Sequence, residues 1–129
     1  MVREALERRP KQLRPGDWGM DHYRSILGGA LVAQVACDRS LALADRVAKL
    51  REAEPLLTQA VTSLEKSAAD PLTPFHDTVR YLVKPAAERV VRLYTTWSEV
   101  EPGHGYETKA ADWKVRMEAT STPASGHRQ

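Results

Sequence analysis

Two stretches decide the fold of this chain: Tyr23-Arg24-Ser25-Ile26-Leu27-Gly28-Gly29-Ala30-Leu31 and Leu50-Arg51-Glu52-Ala53-Glu54-Pro55-Leu56-Leu57. In the first, Tyr23, Ile26, Leu27, Ala30 and Leu31 recur at three- and four-residue steps, which places them on one helical face. In the second, Leu50, Ala53 and Leu57, continued by Ala60, Val61 and Leu64, make a matching stripe. Gly28 and Gly29 each cost a helix about 1 kcal/mol against alanine. Close backbone approach of a packed neighbour offsets such a cost. The pair of stretches therefore predicts two amphipathic helices packed tightly at the glycines.

Working outward, residues 2–9 form a short helix candidate with Val2, Ala5 and Leu6 on one side, ended by Pro10. Pro15-Gly16-Asp17 marks a turn, with Asp17 as an N-cap. The first long helix is expected over 18–36, with Trp18 at its start. Residues 37–49 keep helical spacing through Leu41, Ala44, Val47 and Ala48. They read either as a separate short helix or as an early start of the next one. Proline clashes in a helix interior but is tolerated in the first turn. A fresh start near 49–52 is therefore the easier reading of Pro55, and the alternative is one long helix from about residue 40, kinked at Pro55. Asp70-Pro71 should stop this helix after Ala69, and 71–77 read as a loop.

From Thr78 the helical pattern resumes in Val79, Leu82, Val83, Ala86, Val90, Leu93, Tyr94 and Trp97. Pro85 interrupts it and predicts a kink, or two helices joined near Lys84. Pro102-Gly103-His104-Gly105 is a turn. A last helix over 106–119 should bury Ala110, Trp113 and Met117, and the polar residues 120–129 read as a disordered tail.

Composition narrows the function classes. With 42% apolar and 28% charged residues, the 129-residue chain suits a single soluble domain. A formal net charge of +2 argues for neither nucleic acid nor an acidic membrane as partner. No run of about 18 apolar residues predicts a membrane span, and the charged N-terminus (Arg3, Glu4, Glu7, Arg8, Arg9) does not read as a signal peptide. Cys37 has no partner for a disulfide, so a cytoplasmic location is expected.

Candidate chemistry is sparse. Asp21, His22 and Ser25 suggest a charge relay, but one helical turn cannot set them in nucleophile, base and orienter order without an oxyanion hole. They read as an exposed polar face. His76, His104 and His127 have no metal-ligand spacing, and Cys37 reads as a small core residue. Gly28-Gly29 lacks the spacing of a phosphate loop and its Lys-Ser/Thr. Glu4 and Glu7 dilute the basic stretch from Arg3 to Arg14, which reads as a solvated face. Trp97 and Trp113 read as core anchors. No catalytic, cofactor-binding or metal residue is assigned, and a non-enzyme is expected.

The two stretches also carry a resemblance. Leu27-Gly28 followed by Leu31, then a partner helix with Ala53, Leu57 and Ala60, looks like a tetratricopeptide (TPR) helical hairpin. More narrowly, Arg24 to Leu31 with Arg51 to Leu57 resembles the C-terminal TPR tails of large multidomain bacterial serine/threonine kinases. Ala87 to Trp97, with Val90, Leu93 and Tyr94, and then Lys109 to Trp113, with Ala110, resemble the next hairpin. The resemblance covers most of residues 1–119. The family's hairpin has only a short turn where residues 37–49 intervene here.

An all-α fold of antiparallel hairpins, stacked as TPR-like repeats, is implied: about two hairpins plus the short N-terminal helix. Residues 2–9 would then be the tail of a preceding repeat. If they fray, the face of Tyr23 and Leu27 is open to self-association. The implied function is non-catalytic binding of a protein or peptide partner. A structural or oligomerisation piece without a separate ligand is the alternative. The kinase link concerns the parent proteins, because the chain has no glycine-rich ATP loop, no His-Arg-Asp and no Asp-Phe-Gly.

Overall fold

The computed structural model describes residues 18–126, of which side chains are described up to Ala119. The expected helix at 2–9 and the Asp17 cap lie outside these residues. Four helices follow in order: α1 (Trp18–Cys37), α2 (Leu43–Ala69), α3 (His76–Val100) and α4 (Tyr106–Gly126). The fold is an all-α arrangement of helical hairpins. α1 packs on α2, α2 on α3 and α3 on α4, and α1 also reaches α3.

The 37–49 region resolves into a tight turn and the early start of α2. Asp38 builds the turn: its carboxylate accepts from the Ser40 amide at 3.0 Å, and its own amide donates to the Gln34 carbonyl at 2.9 Å. The Arg46 Nε then donates to the Leu41 carbonyl at 3.1 Å, tying the first turn of α2 to the connection. α2 therefore does not start afresh near 49–52. Pro55 lies in its interior, on the exposed side. Arg51, four residues back, is exposed as well, so the carbonyl deprived of its helical partner faces solvent rather than the core.

α3 likewise runs through Pro85 as one helix instead of two joined near Lys84. Tyr81, whose carbonyl Pro85 leaves without a helical donor, is 81% exposed. The helix begins at His76, earlier than the sequence pattern suggests. Its N-cap residue, Phe75, has a left-handed backbone (φ 57°, ψ 41°), an uncommon conformation for a bulky residue. α4 continues past Ala119, where the sequence reading ended it.

One core joins the four helices. Leu50, Ala53, Leu57, Ala60, Val61 and Leu64, the whole predicted stripe of α2, are fully buried. Val79, Val83, Ala86, Ala87, Val90, Leu93, Tyr94 and Trp97 come in from α3, and Val32 and Val35 from α1. Burying a leucine side chain stabilises a fold by about 1.5–3 kcal/mol, so this apolar layer is the main source of stability. α4 adds a partly buried layer of Tyr106, Ala110, Trp113 and Met117. The Tyr106 ring stacks on Trp97 with centroids 4.3 Å apart. Arg116 lies 4.5 Å over the Trp113 ring and pairs with Glu65, linking α4 to α2.

The face of α1 differs from the predicted stripe. Ala30 is exposed, Tyr23, Ile26 and Leu31 are half-buried, and the buried residues are Met20, Asp21, Ser25, Leu27, Gly28, Val32 and Val35. The helix has two packing partners and divides its glycines between them. A Cβ on Gly28 would stand 2.6 Å from Leu57 Cγ in α2, whereas one on Gly29 would stand 3.0 Å from Arg89 Cδ in α3. Polar Asp21 and Ser25 can turn inward because each has a guanidinium nearby.

Candidate functional site

Where α1 runs beside α3, the helices leave a crevice of about 280 Å³. Its α1 wall is Ile26, Gly29 and Val32, and its α3 wall is Pro85, Glu88, Arg89 and Arg92. The helical period explains the lining. Residues 26 and 29 lie one turn apart on α1, and 85, 88, 89 and 92 fall on one strip of α3. Gly29 has no side chain, which leaves room for the Arg89 stem to cross toward α1.

Arg89 is the centre of the site. Its Nη1 donates to the Oγ of fully buried Ser25 at 2.9 Å. Burial pushes the guanidinium pKa down, and the Glu88 carboxylate partly opposes this. His22, one turn before Ser25, is held below its usual range, first by burial and then by the positive charge of Arg89. Its Nδ1 is buried without a hydrogen-bond partner. Asp21 pairs with Arg24 at 3.3 Å, its side chain only 3% exposed.

These contacts correct the reading of Asp21, His22 and Ser25 as an exposed polar face, since Asp21 and Ser25 are buried. Ser25 Oγ accepts from the Arg89 guanidinium, a cation that cannot serve as its general base. Cys37, read as a small core residue, is exposed at the end of α1.

The residues assigned to repeat packing fall at different depths. Leu27, Gly28, Ala53, Leu57, Ala60, Val90, Leu93, Tyr94 and Trp97 are buried. Tyr23, Leu31, Ala110 and Trp113 are half-buried. Tyr94 does more than pack: its hydroxyl donates to Glu54 Oε2 at 2.8 Å, fastening α3 to α2. Burial and that carboxylate push its phenol pKa well up.

The arginines of the crevice were missed in the sequence. A signal was there, because Arg89 stands three residues beyond Ala86 and so borders the buried stripe of α3. Nothing in the sequence alone says that Ser25 and Gly29 would meet it.

Among the described residues, no group of three His, Cys, Asp or Glu side chains could hold a metal ion. No described helix is long and apolar enough to cross a membrane. Comparison with known protein families, curated proteins and solved structures finds no match to this chain.

Proposed function

We propose that the chain is a non-catalytic protein-interaction module of stacked TPR-like hairpins, and that its α1–α3 face receives a peptide or partner protein. The observation that carries this reading is the crevice itself: α1 and α3 open successive hairpins, lie side by side, and line a concave surface with both apolar and charged side chains. Such surfaces bind partners without chemistry, and no nucleophile–base pair lines this one. The sequence resemblance supports the finer reading of a piece or tail of a bacterial serine/threonine kinase-type multidomain protein, working in the cytoplasm.

Selection from a random peptide display library on the purified chain tests the proposal. Enriched peptides whose binding falls on Ile26→Glu support it. Failure to enrich any peptide over a blank surface counts against it.

The alternative is an oligomerisation piece without a separate ligand. It draws support from Leu72, Phe75 and Tyr81 near the α2–α3 connection, which are 87%, 74% and 81% exposed. Sedimentation over a concentration series separates the two readings. Self-association that disappears in Phe75→Ser favours the alternative.

A further inference from the structure

Arg89 is a half-buried cation with most of its bonding capacity unspent. A guanidinium carries five N–H donors in a planar fork. Among the described residues, Arg89 spends one of them, on a neutral hydroxyl, and makes no ion pair. Leaving a charged group desolvated without a counter-ion is unfavourable. Arg92, one turn further along the same wall, is exposed and likewise makes no ion pair among the described residues. Among the described residues Glu88 is the lining's one carboxylate against Arg89 and Arg92, an excess of one positive charge. Ser25, fully buried, holds the Arg89 fork in place, and Gly29, having no side chain, lets the Arg89 stem lie against α1. Ile26, Val32 and Pro85 supply apolar surface next to the charges.

We propose that this crevice binds the carboxylate side chain of an acidic residue in an extended partner peptide, with an apolar neighbour seated against Ile26, Val32 and Pro85. The inference rests on the interaction-module reading and names the chemistry of its partner. A carboxylate accepts two parallel bonds from a guanidinium fork, which uses the donors that Arg89 leaves idle. One negative charge also matches the one excess positive charge of the lining. A phosphoryl group brings close to two and would meet Glu88 with the surplus.

The test uses the full chain and four short probes. They are capped Gly-Ile-Glu-Ile-Gly, its Gln and phosphoserine counterparts, and uncapped Gly-Ile-Gly-Ile-Gly. Nuclear magnetic resonance follows the Gly29 amide and the Arg89 Nε–Hε signal during titration. The Glu peptide is expected to move both signals saturably in the millimolar range, with the Gln peptide weaker by about tenfold. Arg89→Gln should abolish the response. Arg92 is exposed, so Arg92→Gln tests the site without disturbing packing and should weaken binding roughly threefold.

Equal responses to the Glu and Gln peptides, or shifts that leave Gly29 and Arg89 unmoved, would overturn the proposal. Tighter binding of the phosphoserine peptide, or of the uncapped peptide through its terminal carboxylate, would overturn the choice of an acidic side chain. Library peptides that bind but ignore Arg92→Gln would defeat this inference and leave the interaction module standing. A library that yields no binder defeats the module itself, while the Glu-peptide titration is read independently.

Discussion

Gly28→Ala and Gly29→Ala, adjacent and chemically identical substitutions, should change stability in opposite directions. In a bare helix each would gain about 1 kcal/mol. At Gly28 the added methyl stands 2.6 Å from Leu57 Cγ, 2.9 Å from Cδ2 and 3.4 Å from the Ala53 carbonyl oxygen. Cγ is the branch point of a fully buried side chain, with little freedom to retreat, so α1 and α2 must move apart. Overpacking of this kind costs about 1–3 kcal/mol, and a contact so far inside van der Waals range puts it at the upper end.

The net expectation for Gly28→Ala is a loss of about 2 kcal/mol, or roughly 8 °C in Tm for a chain of this size. At Gly29 the methyl meets Arg89 Cδ at 3.0 Å, within a long, half-buried side chain that can shift by tenths of an ångström. Most of the propensity gain should survive, leaving a stabilisation of about 0.5 kcal/mol. Urea unfolding followed by circular dichroism measures both. Coupling provides a further check, since Leu57→Ala removes the clash and the double variant should lose less than the sum of the singles. A Gly28→Ala protein as stable as its parent, or a shared sign for the two glycines, would refute the account of how α1 packs.

Leu57→Ala and Leu93→Ala each empty a fully buried site, and urea unfolding should show losses of about 2–5 kcal/mol. Tyr94 binds its phenolic proton more tightly folded than unfolded. Its contribution is therefore complete below pH about 10 and is lost as pH rises further; Tyr106, pushed up by burial, has the same sign. Tyr94→Phe should flatten the alkaline limb of a stability–pH curve, and an unchanged limb would count against the Glu54 contact. His22 is held below its ordinary value, so the unfolded chain binds the extra proton and stability should fall as pH drops below about 6.5. Arg89→Gln removes one of the two causes and should raise the His22 midpoint in an imidazole-resolved titration.

The helices themselves were legible in the sequence because periodicity is a local property. The α2 stripe from Leu50 to Leu64 is buried residue for residue, since apolar side chains at helical steps have one face on which to leave water. The Pro102–Gly105 turn follows from chain chemistry in the same way, with Gly103 and Gly105 at φ 84° and 85°. What needed the tertiary structure was every choice between neighbours. Both prolines had ambiguous surroundings until burial showed Pro55 and Tyr81 on the solvent side, where a lost backbone bond costs little. The face of α1 was misread because that helix lies against two others, and periodicity counts apolar residues without knowing how many partners a helix has. The crevice was hidden for the same reason. Ser25 and Arg89 are 64 residues apart, and each is an ordinary polar residue until folding sets the hydroxyl against the guanidinium, burying the first and half-burying the second.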